Sequence, residues 1–310
     1  MTMNKLGVLV LVWVLWDGSL SALGCNLQKR KPLPQGSNST GKPIPNHEEG
    51  GRVTNGQITE LASGNHSTIF DSFVLVARDP KTYEALRAAS TSLPEQKAEF
   101  FKTNVVVAAF LGQRRTSGYS VEIMNGADGN LRIVEHSPPK GTMVKMSLSA
   151  PFKIVAIPVG ADEPIVLALD ETWKKRLRSY RVTSGQLSVT GGFAGINQKR
   201  QLEGMIGVMG AGGLKTFVFD MRSQAGGETK HLNDAASCVV KEPGQVSLPR
   251  LNSSTLTGAV QSPFQVTGEF LDEERELRLN LQTADSPHVS DNFTATAQLI
   301  AVAAEPSSRK

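Results

Sequence analysis

Apolar side chains in this chain recur at every second position, in short runs cut off by turn residues, and no other feature restricts the fold as strongly. Tyr119–Met124, Gln186–Thr190, Phe264–Phe270, Glu276–Leu281 and Phe293–Val302 all alternate in this way. A period of two lines one face of a β-strand with apolar groups, whereas a helix needs a period near ~3.6. Leu214–Asp220 and Thr255–Val260 read as further strands. From residue 178 onward the runs follow one another at roughly ten-residue spacing with turn signals between them, the pattern of an antiparallel sandwich or barrel. The 29 glycines and 16 prolines supply the turns.

An earlier region, 56–160, mixes strands with one helix. Ser67–Ala77 reads as a strand. Asp79 and Pro80 then predict a helix over Lys81–Ala89, because an aspartate at the N-cap accepts backbone N–H bonds and proline suits the first turn. Tyr83 and Leu86 share its buried face. Asn104–Leu111 is a continuous apolar run rich in β-branched residues, which marks a buried strand. Asn125-Gly126 and Gly129 close a hairpin between Tyr119–Met124 and Asn130–His136. Thr142–Ser149 and Pro151–Pro158 read as two more strands. The fold class expected is α+β to mostly β. An antiparallel sheet with one short helix (56–160) is followed, after a connector (161–177), by an antiparallel β-sandwich or barrel-like unit (178–303) and a short tail (304–310).

Within the first region the turn Gly112-Gln-Arg114-Arg115-Thr116-Ser117-Gly118-Tyr119 resembles the G-x-R-x-T-G-G-Y turn of the PrcB-type C-terminal domain. Pro138 or Pro139 with Gly141, and then Pro151-Phe152 leading into Ile154–Ile157, are similar to that family's later segments. The resemblance runs from Phe101 to Pro158. Ser117 departs from it by standing where the family has the first of two glycines, so a positive φ there would strain the turn. The resemblance implies a non-catalytic, often lipid-anchored subunit that binds and stabilises an exported protease, and it brings no catalytic residues. Gly112, Thr116, Gly118, Pro151 and Phe152 are then structural motif positions. Arg114, Arg115 and Tyr119 are the candidate protein-contact residues, since arginine and tyrosine dominate interface hot spots and a turn tip is exposed.

The N-terminus predicts export. Lys5 precedes the apolar run Leu6–Trp16, which at 11 residues falls short of the ~20 needed to span a bilayer as a helix. Ala22-Leu23-Gly24 fits an ordinary signal-peptidase site. The same Leu23-Gly24 before Cys25 is similar to a bacterial lipobox, which implies a lipid on Cys25, cleavage after residue 24 and attachment to a membrane. Plain secretion, an uncleaved anchor and a Cys25–Cys238 disulfide are the alternatives. Residues 26–55 hold Lys29, Arg30, Lys31 and four prolines without apolar periodicity, as a solvated linker does.

Chemistry is sparse. The five histidines, His47, His66, His136, His231 and His288, lie at least 19 residues apart, so no local pair clasps a metal. No Gly-x-Ser-x-Gly elbow occurs. Gly204–Gly213 is glycine-rich but lacks the Lys-Ser/Thr of a phosphate loop, and reads as a hairpin or bulged strand. Met205, Ile206, Val208 and Met209 within it are a candidate apolar docking surface. Asp272–Glu276 reads as a solvated charged turn. Asn38, Asn65, Asn252 and Asn292 form glycosylation sequons. With 33 basic against 29 acidic residues the net charge is +4, too thin for a nucleic-acid partner. The expectation is a protein-binding envelope module that uses no cofactor or metal. An envelope glycan- or surface-binding module and an unrecognised extracytoplasmic hydrolase are the alternatives.

Overall fold

A computed structural model of the chain describes residues 58–90, 93–126, 129–159, 163–191, 196–241, 244–252, 254–257, 263–283 and 294–304. The apolar leader, Cys25, the linker to residue 55, His47, His288, Asn38 and Asn292 lie outside the described residues. Strand β1 (Thr59–Gly64) is followed by β2 (Phe73–Ala77), helix α1 (Pro80–Ala89) and β3 (Asn104–Phe110). The Asp79 carboxylate caps α1 by accepting the Thr82 N–H at 3.0 Å, and Pro80 opens its first turn. Tyr83 and Leu86 are fully buried beneath the helix, as the spacing predicts. Strand β2 is shorter than the sequence suggests. Its first half is irregular, with the Phe70 carbonyl turned to accept the Gln113 N–H at 2.9 Å.

Strands β4 (Ser120–Asn125) and β5 (Leu131–His136) form the expected hairpin, and β6 (Phe152–Pro158) returns to pair with β3. The order β1-β6-β3-β2 makes an antiparallel four-stranded sheet. Beside it β4, β5 and the short β7 (Leu167–Leu169) make a three-stranded sheet in which β7 runs parallel to β5. Helix α2 (Glu171–Lys174) then starts on the Asp170 carboxylate, which accepts the Thr172 and Trp173 N–H groups, and it drives Trp173 into the core.

The rest of the chain is a meander. Strands β8 (Arg178–Gly191), β9 (Ile196–Ala211), β10 (Leu214–Ala225) and β11 (Glu228–Val239) pair in sequence. Strand β12 (Gln245–Leu251) pairs with β13 (Phe264–Leu271), which pairs with β14 (Glu276–Thr283) and then β15 (Thr294–Ala303). Strand β15 pairs back onto β8, leaving an eight-stranded, nearly closed barrel whose seam lies between β11 and β12. Phe217, Phe219, Phe264, Leu277, Leu279 and Leu281 fill its interior, while Arg278, Asn280 and Gln282 between them face outward. That is the reverse of the alternation a lipid-facing barrel carries.

Three sequence expectations fail here. Thr142–Leu148 is an irregular loop, not a strand. Thr255–Val260 was expected as a strand, but Ser254–Thr257 form a helical turn (α3) whose buried Leu256 accepts the Ser223 hydroxyl on its carbonyl at 2.9 Å. Ile206, Val208 and Met209 are no docking surface. They are buried, and the Met209 sulfur receives the Val74 N–H at 3.2 Å. The glycine-rich stretch does form a hairpin, with Gly212-Gly213 as its two-residue turn between β9 and β10. In the charged turn after β13, Glu274 is more than solvated: it pairs with Arg178 and Lys215. The Asn252 side chain of the third sequon is buried.

A cluster of contacts joins the small sheet to the barrel, and no local pattern announces it. Strand β2 is an edge strand whose outward backbone groups need partners. The barrel supplies them. Val74 N–H meets Met209, Val76 N–H donates to Ser237 Oγ at 2.7 Å, and the Val74 carbonyl accepts from Thr216 Oγ1 at 2.6 Å. Just beyond, Arg78 and Asp234 form a fully buried ion pair, and Arg78 also donates to the carbonyls of Ala235 and Glu163. Burial pushes the Asp234 carboxyl above its ordinary value, opposed by Arg78 and by the N–H groups of Ile165, Asn252 and Ala235.

Candidate functional site

The turn that links β3 to β4 is held from three sides. Leu111 N–H donates to the Pro151 carbonyl at 2.9 Å, fixing the exit of β3 beside the start of β6. Gly112 follows at φ +72°, and a Cβ there would lie 2.6 Å from the Phe70 carbonyl oxygen. Both facts demand glycine. Arg114 and Ser149 then exchange two backbone hydrogen bonds at 2.7 and 3.0 Å, and the Ser149 hydroxyl donates to the Thr116 carbonyl at 3.0 Å. Gly118, at φ +91°, lies against Pro138, whose Cβ is 3.1 Å from where a side chain would begin. Pro138 is thus the proline that meets the turn.

Ser117 resolves the departure from the family pattern. It does not adopt a positive φ. Instead its N–H donates to the Lys145 carbonyl at 3.1 Å and its hydroxyl accepts the Lys145 N–H at 3.2 Å. The serine clips the 142–148 loop onto the turn. Phe152 contributes from below by stacking on Phe110, centroids 6.0 Å apart.

The three candidate contact residues part company. Arg114 turns back to donate to Glu135 at 2.8 Å, with its guanidinium 5.5 Å from the centre of the Tyr119 ring. The other Glu135 oxygen accepts from Arg176 at 3.0 Å, and Arg176 lies 4.5 Å over the Trp173 ring. One half-buried carboxylate therefore ties the turn to α2 through two arginines and two aromatic faces. Tyr119 packs against the core beside it. Arg115 alone of the three is exposed.

What the sequence missed lies next to Arg115. Met143 is 100% exposed and Met146 85%, with Leu148 at 62% and Phe70 at 63%. Alternating apolar residues at 144, 146 and 148 read as a strand, but no sheet receives them: Val144 is half-buried beside Gly118, while Met146 and Leu148 stand in solvent. Such a patch is uncommon on a protein that meets nothing.

Acid–base and metal chemistry finds no comparable focus among the described residues. His66 and His231 are exposed, and His136 makes one exposed contact of 3.2 Å to Glu122. No three His, Cys, Asp or Glu side chains of the described residues gather to hold a metal. Cys238 is a buried free thiol whose pKa burial pushes up to about 11, so it is no nucleophile at neutral pH. Among the described residues no helix is long and apolar enough to cross a membrane.

No curated protein matches the chain. The family model described as PrcB C-terminal matches residues 105–158. That span begins in β3, contains the Gly112–Tyr119 turn and the exposed loop, and ends with β6, so the region that carries the candidate surface is PrcB C-terminal-like.

Proposed function

We propose that this chain is a non-catalytic protein-binding module of the cell envelope that serves as an accessory, stabilising subunit of an exported protease. It is held at a bacterial membrane by a lipid on Cys25. The observation that carries this reading is the match of the PrcB C-terminal family over 105–158. It coincides with a braced turn that exposes Arg115 beside an apolar loop. The apolar leader followed by Leu23-Gly24-Cys25 supports the address, and the linker behind it gives the folded part reach.

The test is co-expression with the exported proteases of a host that carries this chain. Loss of the chain should shorten the life of one protease, and the two should copurify. Cys25→Ser should move the chain from the membrane fraction to the soluble one. Retention of that variant at the membrane would remove the lipid anchor from the reading. Labelling of the purified chain by a fluorophosphonate probe, or a stoichiometric bound metal, would replace the module with a hydrolase.

One observation favours a second reading. The barrel carries a groove of about 750 Å³ lined by Gln245, Thr267, Asn280 and Gln298, with Lys81 and Arg278 among the charged groups. Amides and hydroxyls on a sheet face suit sugar hydroxyls, so an envelope glycan is the ligand this groove would take. Calorimetric titration with soluble cell-wall oligosaccharides tests it, and absence of heat would leave the protein-binding reading alone.

A further inference from the structure

We propose that the exposed loop beside the Gly112–Tyr119 turn docks an acidic protein segment that carries apolar side chains. Met143, Met146 and Phe70 take the apolar groups, and Arg115, Lys140 and Lys145 take the carboxylates. The proposal deepens the protein-binding reading by naming the chemistry of the partner, and it rests on that reading for the occupant being a protein.

The surface is apolar and it is ordered. Met143, Met146, Leu148 and Phe70 are between 62% and 100% exposed, far more than their chemistry favours in water. Yet the segments that bear them are fastened side by side. Phe70 is joined to Gln113, Arg114 to Ser149, Ser117 to Lys145 and Thr142 to Pro139, each through a backbone hydrogen bond. A surface already fixed loses little freedom on binding. Methionine adds what rigidity lacks, because its thioether chain adapts to varied apolar partners.

The charge of the surface selects the partner. Segments 112–118 and 137–149 contain Arg114, Arg115, Lys140 and Lys145 and no Asp or Glu. Arg114 is engaged by Glu135, but Arg115, Lys140 and Lys145 are exposed. Asp71, next to Phe70 in sequence, is exposed and is the one carboxylate beside the surface in sequence; it borders a cavity together with Arg176, Arg178 and Lys215, whose cations outnumber it. A patch of apolar groups rimmed by cations is complementary to apolar groups rimmed by carboxylates.

An anionic lipid surface shares the positive preference, and the side chains decide against it. Membrane–water interfaces are rich in tryptophan and tyrosine, and interfacial segments set tryptophan, phenylalanine and leucine beside lysine and arginine. Trp173, Tyr83 and Tyr180 are buried and Tyr119 is half-buried, so the patch exposes two methionines with Phe70 and Leu148 and, among the described residues, no tryptophan or tyrosine.

The test uses the full-length chain and three fluorescein-labelled synthetic peptides. One has Leu and Phe bracketed by Glu, one has Lys in place of Glu, and one keeps Glu but has Ser in place of Leu and Phe. The first should bind at least about tenfold more tightly than either control, and added salt should weaken it. Met143→Ser with Met146→Ser should cost about tenfold or more, and so should Arg115→Glu with Lys145→Glu. These positions are exposed, so unchanged melting curves verify folding. Equal binding of the lysine peptide, binding of none, or indifference to either double variant overturns the proposal. So does competition by phosphatidylglycerol vesicles whose binding is lost in the methionine variant, which would make the surface a lipid contact. Should the methionine variant still copurify with a protease at full strength, the surface is wrong and the accessory reading stands. Should peptide binding behave as expected while no protease depends on the chain, the surface stands and the accessory reading falls.

Discussion

Gly112 is the residue on which the family-like turn depends most. Its φ of +72° is one that L side chains rarely adopt, and an added Cβ would sit 2.6 Å from the Phe70 carbonyl oxygen. Gly112→Ala should therefore cost about 2–4 kcal/mol from backbone strain plus overpacking, measured by urea unfolding. A loss under ~1 kcal/mol would show that the turn relaxes at little cost. Ser117→Gly should instead be slightly destabilising, because it removes the hydroxyl that accepts Lys145 N–H. Cys238 makes a pH-dependent prediction. Burial raises its pKa from 9.0 in the unfolded reference to about 11, partly offset by a hydrogen bond from the Ser247 backbone. The native thiol thus keeps its proton where the unfolded thiol loses it. Its contribution is present in full below about pH 9 and is lost as the pH rises to about 11, a change of roughly 2–3 kcal/mol. Cys238→Ala should flatten that part of the stability profile relative to the parent. Equal slopes in the two proteins would mean that the thiol is not held protonated by the fold.

At the level of elements, strand β2 shows how an exposed edge is closed without another strand. Ser237 accepts the Val76 N–H, donates to Thr216 Oγ1 at 2.6 Å, since the Thr216 proton goes to the Val74 carbonyl, and is fully buried. Ser237→Ala leaves a buried backbone N–H without its acceptor and should cost about 1–3 kcal/mol. Ser237→Thr, which keeps the hydroxyl, should restore part of it. If Ala and Thr behave alike in urea unfolding, the bond is not what secures the edge. Strands with clean alternation, such as Glu276–Leu281, were legible because each apolar residue has one possible face. The 142–148 loop was misread because Val144, Met146 and Leu148 look like a strand's inner row, whereas Met146 and Leu148 are turned to solvent and no sheet receives the segment. Strand β9 was legible only as a glycine-rich hairpin or bulged strand over 204–213: glycines at 204, 207 and 210 thin its alternation, and its length and the burial of Ile206 and Val208 come from its neighbours. Strand β11 carries Asp234-Ala-Ala-Ser237 before its end at Val239, small and polar residues that serve a contact with β2 and follow no strand rule. The motif residues of the candidate turn were readable as a string. The exposed apolar groups around them were not, since exposure depends on which segments tertiary structure leaves uncovered.

Across the whole molecule, the contacts that join the small sheet to the barrel span long stretches of chain. Val74 meets Met209 across 135 positions, Val76 meets Ser237 across 161, and Arg78 meets Asp234 across 156. Met209, Ala211, Leu214 and Ala235 of the barrel belong to the same apolar core as Val74, Val76 and Phe110 of the small sheet. Neither side can open without exposing that core, the edge of β2 and a buried ion pair. Taking Arg78 away from Asp234 alone should be strongly destabilising, of order 3–5 kcal/mol, because the carboxylate then stays buried without its counter-charge. The two sheets should consequently unfold as one cooperative unit. Hydrogen exchange at increasing urea tests this directly. Amides of β3, such as Val106 and Ala108, and amides of β14, such as Leu279 and Leu281, should converge on one opening free energy with one urea dependence. In Arg78→Met both groups should fall together by the same amount. Protection lost in β3 while β14 keeps its parental value would mean that the barrel stands without the small sheet, and that the Arg78–Asp234 contact joins two independent folding units.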